Sequence, residues 1–181
     1  MLRLKILLRP EQWDTVNEKF IPPEYRILNL EHSLVSLSKW ESKWCKPFLS
    51  NKNMTTEETI DYIRCMTLTQ NVPPETYDFI TNENVEEVSN YIGAPMTATT
   101  FFEAKSGTGN RETVTSELIY YWMIALNIPM ECQKWHLNRL LTLVRVCNIK
   151  NAPPKKMGKR AAASRYAQLN AARRQQLNSK G

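Results

Sequence analysis

The residues with the clearest potential for chemistry are few. The chain has two histidines, His32 and His136, and general-base catalysis needs an imidazole held beside a nucleophile or an orienting carboxylate. His32 stands between Glu31 and Ser33, but side chains adjacent in sequence project in different directions, so adjacency makes no triad. Cys132 and His136 are four apart, and on one helix they would share a face, as two ligands of a zinc ion must. Zinc needs two more ligands, for which Cys65 and Cys147 are candidates, yet the sequence has no second closely spaced pair. The expectation is a buried thiol near a hydrogen-bonded histidine, with no metal and no cofactor. Ser106-Gly-Thr-Gly-Asn110 lacks both the lysine and the spacing of a phosphate-binding loop and reads as a mobile loop. These residues carry no recognisable reaction, and the expectation is a protein that binds rather than catalyses.

Binding surfaces must then come from charge and aromatic residues. Of 24 lysines and arginines, eight fall in residues 151–181, which contain no Asp or Glu. They are Lys155, Lys156, Lys159, Arg160, Arg165, Arg173, Arg174 and Lys180. The other sixteen face all 18 acids, so residues 1–150 carry a net charge of −2 against +6 for the whole. All the basicity is in the tail, which suits a partner-docking arm, a solvated tail, or a phosphate-seeking arm that binds nucleic acid. The tail's single aromatic, Tyr166, leaves little for base stacking. Five tryptophans, Trp13, Trp40, Trp44, Trp122 and Trp135, are expected mostly in the core, with one or two as interface anchors. The candidate partner-binding residues are Trp13, Trp40, Trp44, Tyr121 and Trp122, with Trp13 first because it falls in an expected loop.

Several elements are needed to hold these residues. Hydrophobic content of 42% and charge of 23% are ordinary for a folded domain. Residues 2–8 alternate apolar with Arg3 and Lys5, and Tyr25–Leu30 follows Pro22-Pro23, so the two form an antiparallel ribbon with Glu11–Phe20 as its loop. From His32 the period changes: Leu34, Leu37, Trp40, Glu41, Trp44 and Phe48 define an amphipathic helix ended by Lys46-Pro47. Thr55 and Glu58 form a capping box for a helix over 56–67. Pro73-Pro74 opens a turn into Tyr77, Phe79 and Ile80, and Asn84 with Glu87 gives a second capping pair before Val85, Val88, Tyr91 and Ile92. Gly93-Ala-Pro95 stops that pattern, and an extended segment follows from Met96.

Val114, Leu118, Tyr121, Trp122 and Ala125 line one further helix. Trp135, Leu137, Leu140, Leu141, Val144 and Cys147 line another over 131–148, and the two pack as a hairpin on the Trp40/Trp44 helix. The four cysteines are expected as reduced, buried thiols. After Asn151-Ala-Pro-Pro154 a linker leads into Ala161–Leu177, whose composition favours a helix that is marginal alone. The fold expected is mainly α: a short N-terminal β-ribbon over 1–31, a helical core over 32–150 and a basic tail over 151–181. No segment reads as a signal peptide or a membrane span, so residence in the cytoplasm is expected.

Two segments carry a resemblance. Ser33-Leu-Val-Ser-Leu-Ser-Lys-Trp-Glu-Ser-Lys-Trp44 with Cys45-Lys-Pro-Phe-Leu49 is one. Tyr120-Tyr-Trp-Met-Ile-Ala-Leu-Asn-Ile-Pro129 through Cys132-Gln-Lys-Trp-His-Leu-Asn-Arg139 and Asn151-Ala-Pro-Pro-Lys-Lys156 is the other. With Tyr62-Ile-Arg-Cys-Met66 and Ala98-Thr-Thr-Phe101, they resemble the tail assembly chaperones of tailed bacteriophages over most of residues 27–180. The resemblance implies a non-enzymatic factor in the host cytoplasm that binds a tape-measure or other tail protein, such as the tail tube, during assembly and is absent, or nearly so, from the finished particle. A homo-oligomer is a separate expectation. A structural part of the virion tail, baseplate or connector is the neighbouring implication.

Overall fold

The computed structural model describes residues 1–15, 17–51, 53–101, 113–152 and 159–177, and the chain divides into two compact units, Met1–Asn148 and Ile149–Gly181. The expected Ser106–Asn110 loop lies outside the described residues, as do Lys155, Lys156 and Lys180.

The first unit opens with strands β1 (Leu2–Arg9), β2 (Gln12–Asp14), β3 (Lys19–Ile21) and β4 (Glu24–Leu30). β1 and β4 pair antiparallel, Leu2 opposite Leu30 and Leu7 opposite Tyr25, with an irregularity between Leu7 and Arg9. The period-two pattern buries Leu4, Ile6, Leu28 and Leu30 completely while Arg3, Lys5 and Leu7 stay exposed. The expected loop over Glu11–Phe20 is corrected: β2 and β3 form a second ribbon inside it, with Trp13 opposite Phe20. Pro10 and Pro22-Pro23, which cannot donate to a ladder, separate the two ribbons. The Asp14 carboxylate accepts from the Asn17 backbone and side chain at 3.2 and 2.7 Å, tightening the turn at the tip.

Helices α1 (Leu34–Trp44), α2 (Thr56–Met66), α3 (Asn82–Gly93), α4 (Ser116–Ala125) and α5 (Leu137–Asn151) follow, with 3-10 turns at Phe48–Ser50, Pro74–Phe79 and Met130–Lys134. The Thr55/Glu58 capping box forms as expected. The second capping pair does not. Thr81 caps α3 and receives Asn84 in return, so α3 starts a turn earlier than Asn84/Glu87 implied. Residues 131–148 are likewise not one helix: a 3-10 turn ends at Lys134, Trp135 is extended, and α5 begins at Leu137.

α1 stands between two apolar clusters. Trp40 belongs to the first, with the β1–β4 ribbon and Tyr62, Ile63 and Met66 of α2. Leu34 and Leu37 belong to the second, with Ile119 and Met123 of α4 and Leu137 and Leu140 of α5. Each such fully buried aliphatic side chain favours folding by ~2 kcal/mol, so a single helix couples both cores. α4 is turned relative to its expected stripe, burying Ser116, Ile119 and Met123 rather than Tyr121 and Ala125.

The second unit contains α6 (Lys159–Leu177). Tyr166, Leu169 and Leu177 on it are all exposed. No helix among the described residues is long and apolar enough to cross a membrane.

Candidate functional site

The two histidines meet inside the first unit. His32 follows β4 and His136 precedes α5, and the Leu137 N–H donates to the His32 carbonyl at 2.7 Å. This pins the imidazoles edge to face with centroids 5.1 Å apart. His32 Nδ1 is hydrogen-bonded to the Tyr62 hydroxyl at 2.5 Å. His136 Nε2 donates to the Tyr91 carbonyl at 3.1 Å while its Nδ1 accepts the Asn138 N–H at 3.3 Å. Both His136 nitrogens are therefore occupied, and it sits on a different element from Cys132. Among the described residues no group of three or more His, Cys, Asp or Glu is placed to hold a metal ion.

Burial, reinforced by His136, pushes the His32 imidazole down to about 3, and burial also lowers His136 against the opposing pull of the Tyr91 carbonyl. Desolvation raises the phenol of Tyr62 far above its ordinary range. His32 is 1% exposed and offers no open face to a substrate. The pair acts as a neutral polar joint between the ribbon side and the α5 side of the unit.

The buried acids are also structural. The Glu41 carboxylate of α1 accepts the Phe48 N–H at 2.9 Å and the Ser116 N–H at 2.7 Å, so α1 caps the N-terminus of α4. Lys46 and the Thr55 N–H hold the Glu58 carboxyl below its ordinary value. Burial opposes ionisation of Asp61, but hydrogen bonds from Lys43 and the Trp44 indole prevail and lower it. The cysteine expectation holds for Cys132, which is buried; Cys45 is exposed at the left-handed end of α1, with Cys65 and Cys147 between these extremes.

The aromatic candidates separate into two kinds. Trp40 is wholly buried, its indole N–H donating to the Glu58 carbonyl at 3.0 Å, so it has no surface for a partner. Trp44 is half-buried, stacks on Trp40 and donates to Asp61 at 2.9 Å. Trp13 and Tyr121 lie open at 51% and 63% exposure, and Trp122 is half-buried.

Comparison with protein-family models, curated proteins and solved structures finds no match. Function must be read from the surface itself.

Its most organised exposed feature is the tip of the β2–β3 ribbon. Trp13 and Phe20 pack edge to face there, centroids 4.7 Å apart, and Phe20 is 66% exposed. Phe20 was missed by sequence reasoning because its segment was assigned to a loop; pairing Gln12 with Ile21 sets it opposite Trp13. Among the described tail cations, Arg165, Arg173 and Arg174 of α6 fan across roughly half the helix circumference.

Proposed function

We propose that this chain is a non-enzymatic binding protein of tailed-phage tail morphogenesis, a tail assembly chaperone that holds a tape-measure or tail-tube protein through the Trp13–Phe20 tip. One observation carries the contact: two large aromatic rings pack edge to face on a short ribbon, both more than half exposed. Exposed aromatic pairs have little rotamer freedom to lose on binding and are the commonest anchors of protein interfaces. The β2–β3 ribbon that carries them continues from β1 and β4, which are rooted in the first core through Leu4, Ile6, Leu28 and Leu30. The tail-protein client comes from the resemblance of Ser33–Leu49 and Tyr120–Lys156 to the tail assembly chaperones.

The test is co-expression and pull-down with tape-measure and tail-tube proteins, paired with mass spectrometry of purified virions. Retention of a tail protein with few or no copies in the virion is the expected result. Many copies in the virion with no retained client would make the chain a tail component instead.

A further inference from the structure

α1 and α2 run antiparallel and are laced together by ion pairs at helical steps. Lys46, just past the end of α1, pairs with Glu58, and Lys43 pairs with Asp61. Positions 46, 43 and 39 on one side match 58, 61 and 65 on the other, each three and then four residues apart, so the next rung sets Lys39 opposite Cys65. An acid at 65 would complete a third pair, but the sequence has a thiol there. Burial and the nearby Asp61 carboxylate push that thiol up, so it stays protonated and supplies no charge. Lys39 and Cys65 line a cleft of about 240 Å³, and Lys134, at the end of the Met130–Lys134 turn, lines it too. Among the described residues neither lysine belongs to an ion pair.

The other polar groups of the cleft are already committed. The Glu31 carboxylate takes the Met1 amine at 3.0 Å and the Tyr91 hydroxyl at 2.7 Å. Ser33 Oγ accepts the Ser36 N–H, and the Ser36 and Thr67 hydroxyls donate to the Ser33 and Ile63 carbonyls. What remains besides the lysines and the thiol is apolar: Val35, Leu68 and the fully buried Met66. We propose that this cleft binds a small free monocarboxylate with a short hydrocarbon chain, its carboxylate standing in for the missing acid opposite Lys39 and its chain lying on Val35, Met66 and Leu68. A cationic ligand would meet two like charges. A polyanion would lay further charge on an apolar wall that cannot solvate it. At roughly 30 Å³ for a water's share of liquid, the cleft has room for on the order of eight non-hydrogen atoms, the size of hexanoate. It shares no residue with the Trp13–Phe20 tip, and the proposal does not depend on the tail-protein reading.

Titration of the full chain with hexanoate, followed through backbone amide chemical shifts, tests this. Saturable shifts centred on Val35, Lys39, Cys65 and Leu68 are expected, with a Kd on the order of 1 mM. Acetate should bind at least roughly tenfold more weakly, because it lacks the chain, and hexylammonium should not bind. Lys39→Gln should weaken hexanoate at least roughly tenfold, and Cys65→Asp, which supplies the acid, should remove the binding. Amide spectra show whether each variant is folded, and if Cys65→Asp is not, Lys39→Gln with Lys134→Gln carries the comparison. The absence of saturable shifts below about 20 mM hexanoate overturns the proposal. So does equal binding of hexylammonium, or hexanoate binding indifferent to Lys39→Gln. N-acetylglutamate amide binding more tightly than hexanoate would make the cleft a seat for a protein side chain and overturn it as well.

Discussion

α1 and α4 look alike as strings: each is about three turns long and each carries large aromatic residues, Trp40 and Trp44 on one and Tyr120, Tyr121 and Trp122 on the other. In the structure they have opposite fates. Trp40 of α1 packs edge to face on Phe48 with centroids 5.2 Å apart, and both α1 indoles have hydrogen-bond acceptors, one backbone and one carboxylate. On α4 the Tyr120 hydroxyl donates to Gln133 at 2.9 Å and Trp122 packs half-buried on the second cluster, while Tyr121 faces out. The difference lies in what each helix is packed between. α1 has a core on two sides, α4 on one. Aromatic content therefore reports an apolar helix without saying which of its sides the chain itself covers.

The sharpest way to break that comparison is to truncate one ring on each helix. Trp40→Ala should cost ~4 kcal/mol through the cavity left among Phe48, Tyr62 and Trp44. Tyr121→Ala should cost less than about 0.5 kcal/mol. Urea unfolding of the two variants measures both.

Acid is the next largest lever, because it acts on the joint beside α1. His32 titrates near 6.5 when unfolded and at about 3 when folded, so the unfolded chain binds the extra proton and stability falls as the pH drops below 6.5. Roughly 3 kcal/mol should be gone by about pH 4.5. The lowered carboxyls of Asp61 and Glu58 add their own loss further down, as pH falls through their folded values. His32→Gln, which cannot titrate, should flatten the decline between about pH 6.5 and 4.5. An unchanged slope would show that the imidazole is not what acid attacks.

A smaller effect separates the two helices from each other. Glu41→Gln keeps the shape of the cap but removes a charge that receives both the Phe48 and Ser116 N–H groups. A loss of about 1–3 kcal/mol is expected. Hydrogen exchange should place the extra opening in the first turn of α4 rather than in α1, and equal loosening of both would sever the assigned link.

Much of the frame was readable from local pattern. The alternation over Leu2–Leu8, the 34/37/40/44 stripe and the Thr55/Glu58 box each depend on neighbours in sequence, and each forms. What was missed depends on distant partners. Glu41 capping α4 spans 75 residues, so nothing near Ser116 announces it, and the rotation of α4 follows from where α1 lies. Thr81 displaced Asn84 as a cap because both precede Val85 with suitable side chains, and spacing alone does not rank them. At the candidate site Trp13 was visible as a loop tryptophan, while Phe20 became its partner only through the β2–β3 register.

A small stability effect is attached to the central claim. Replacing Trp13 and Phe20 together by Ala should change unfolding free energy by less than about 1 kcal/mol, since both rings are mostly in solvent. Retention of a co-expressed tape-measure or tail-tube protein should nevertheless fall at least roughly thirtyfold, as expected for the loss of an aromatic anchor worth about 2 kcal/mol. Quantitative pull-down of wild type and this double variant, with melting curves matched, is the direct measurement. Lost retention at unchanged stability is what a client-holding tip requires; equal retention by both proteins, or none by either, would contradict it.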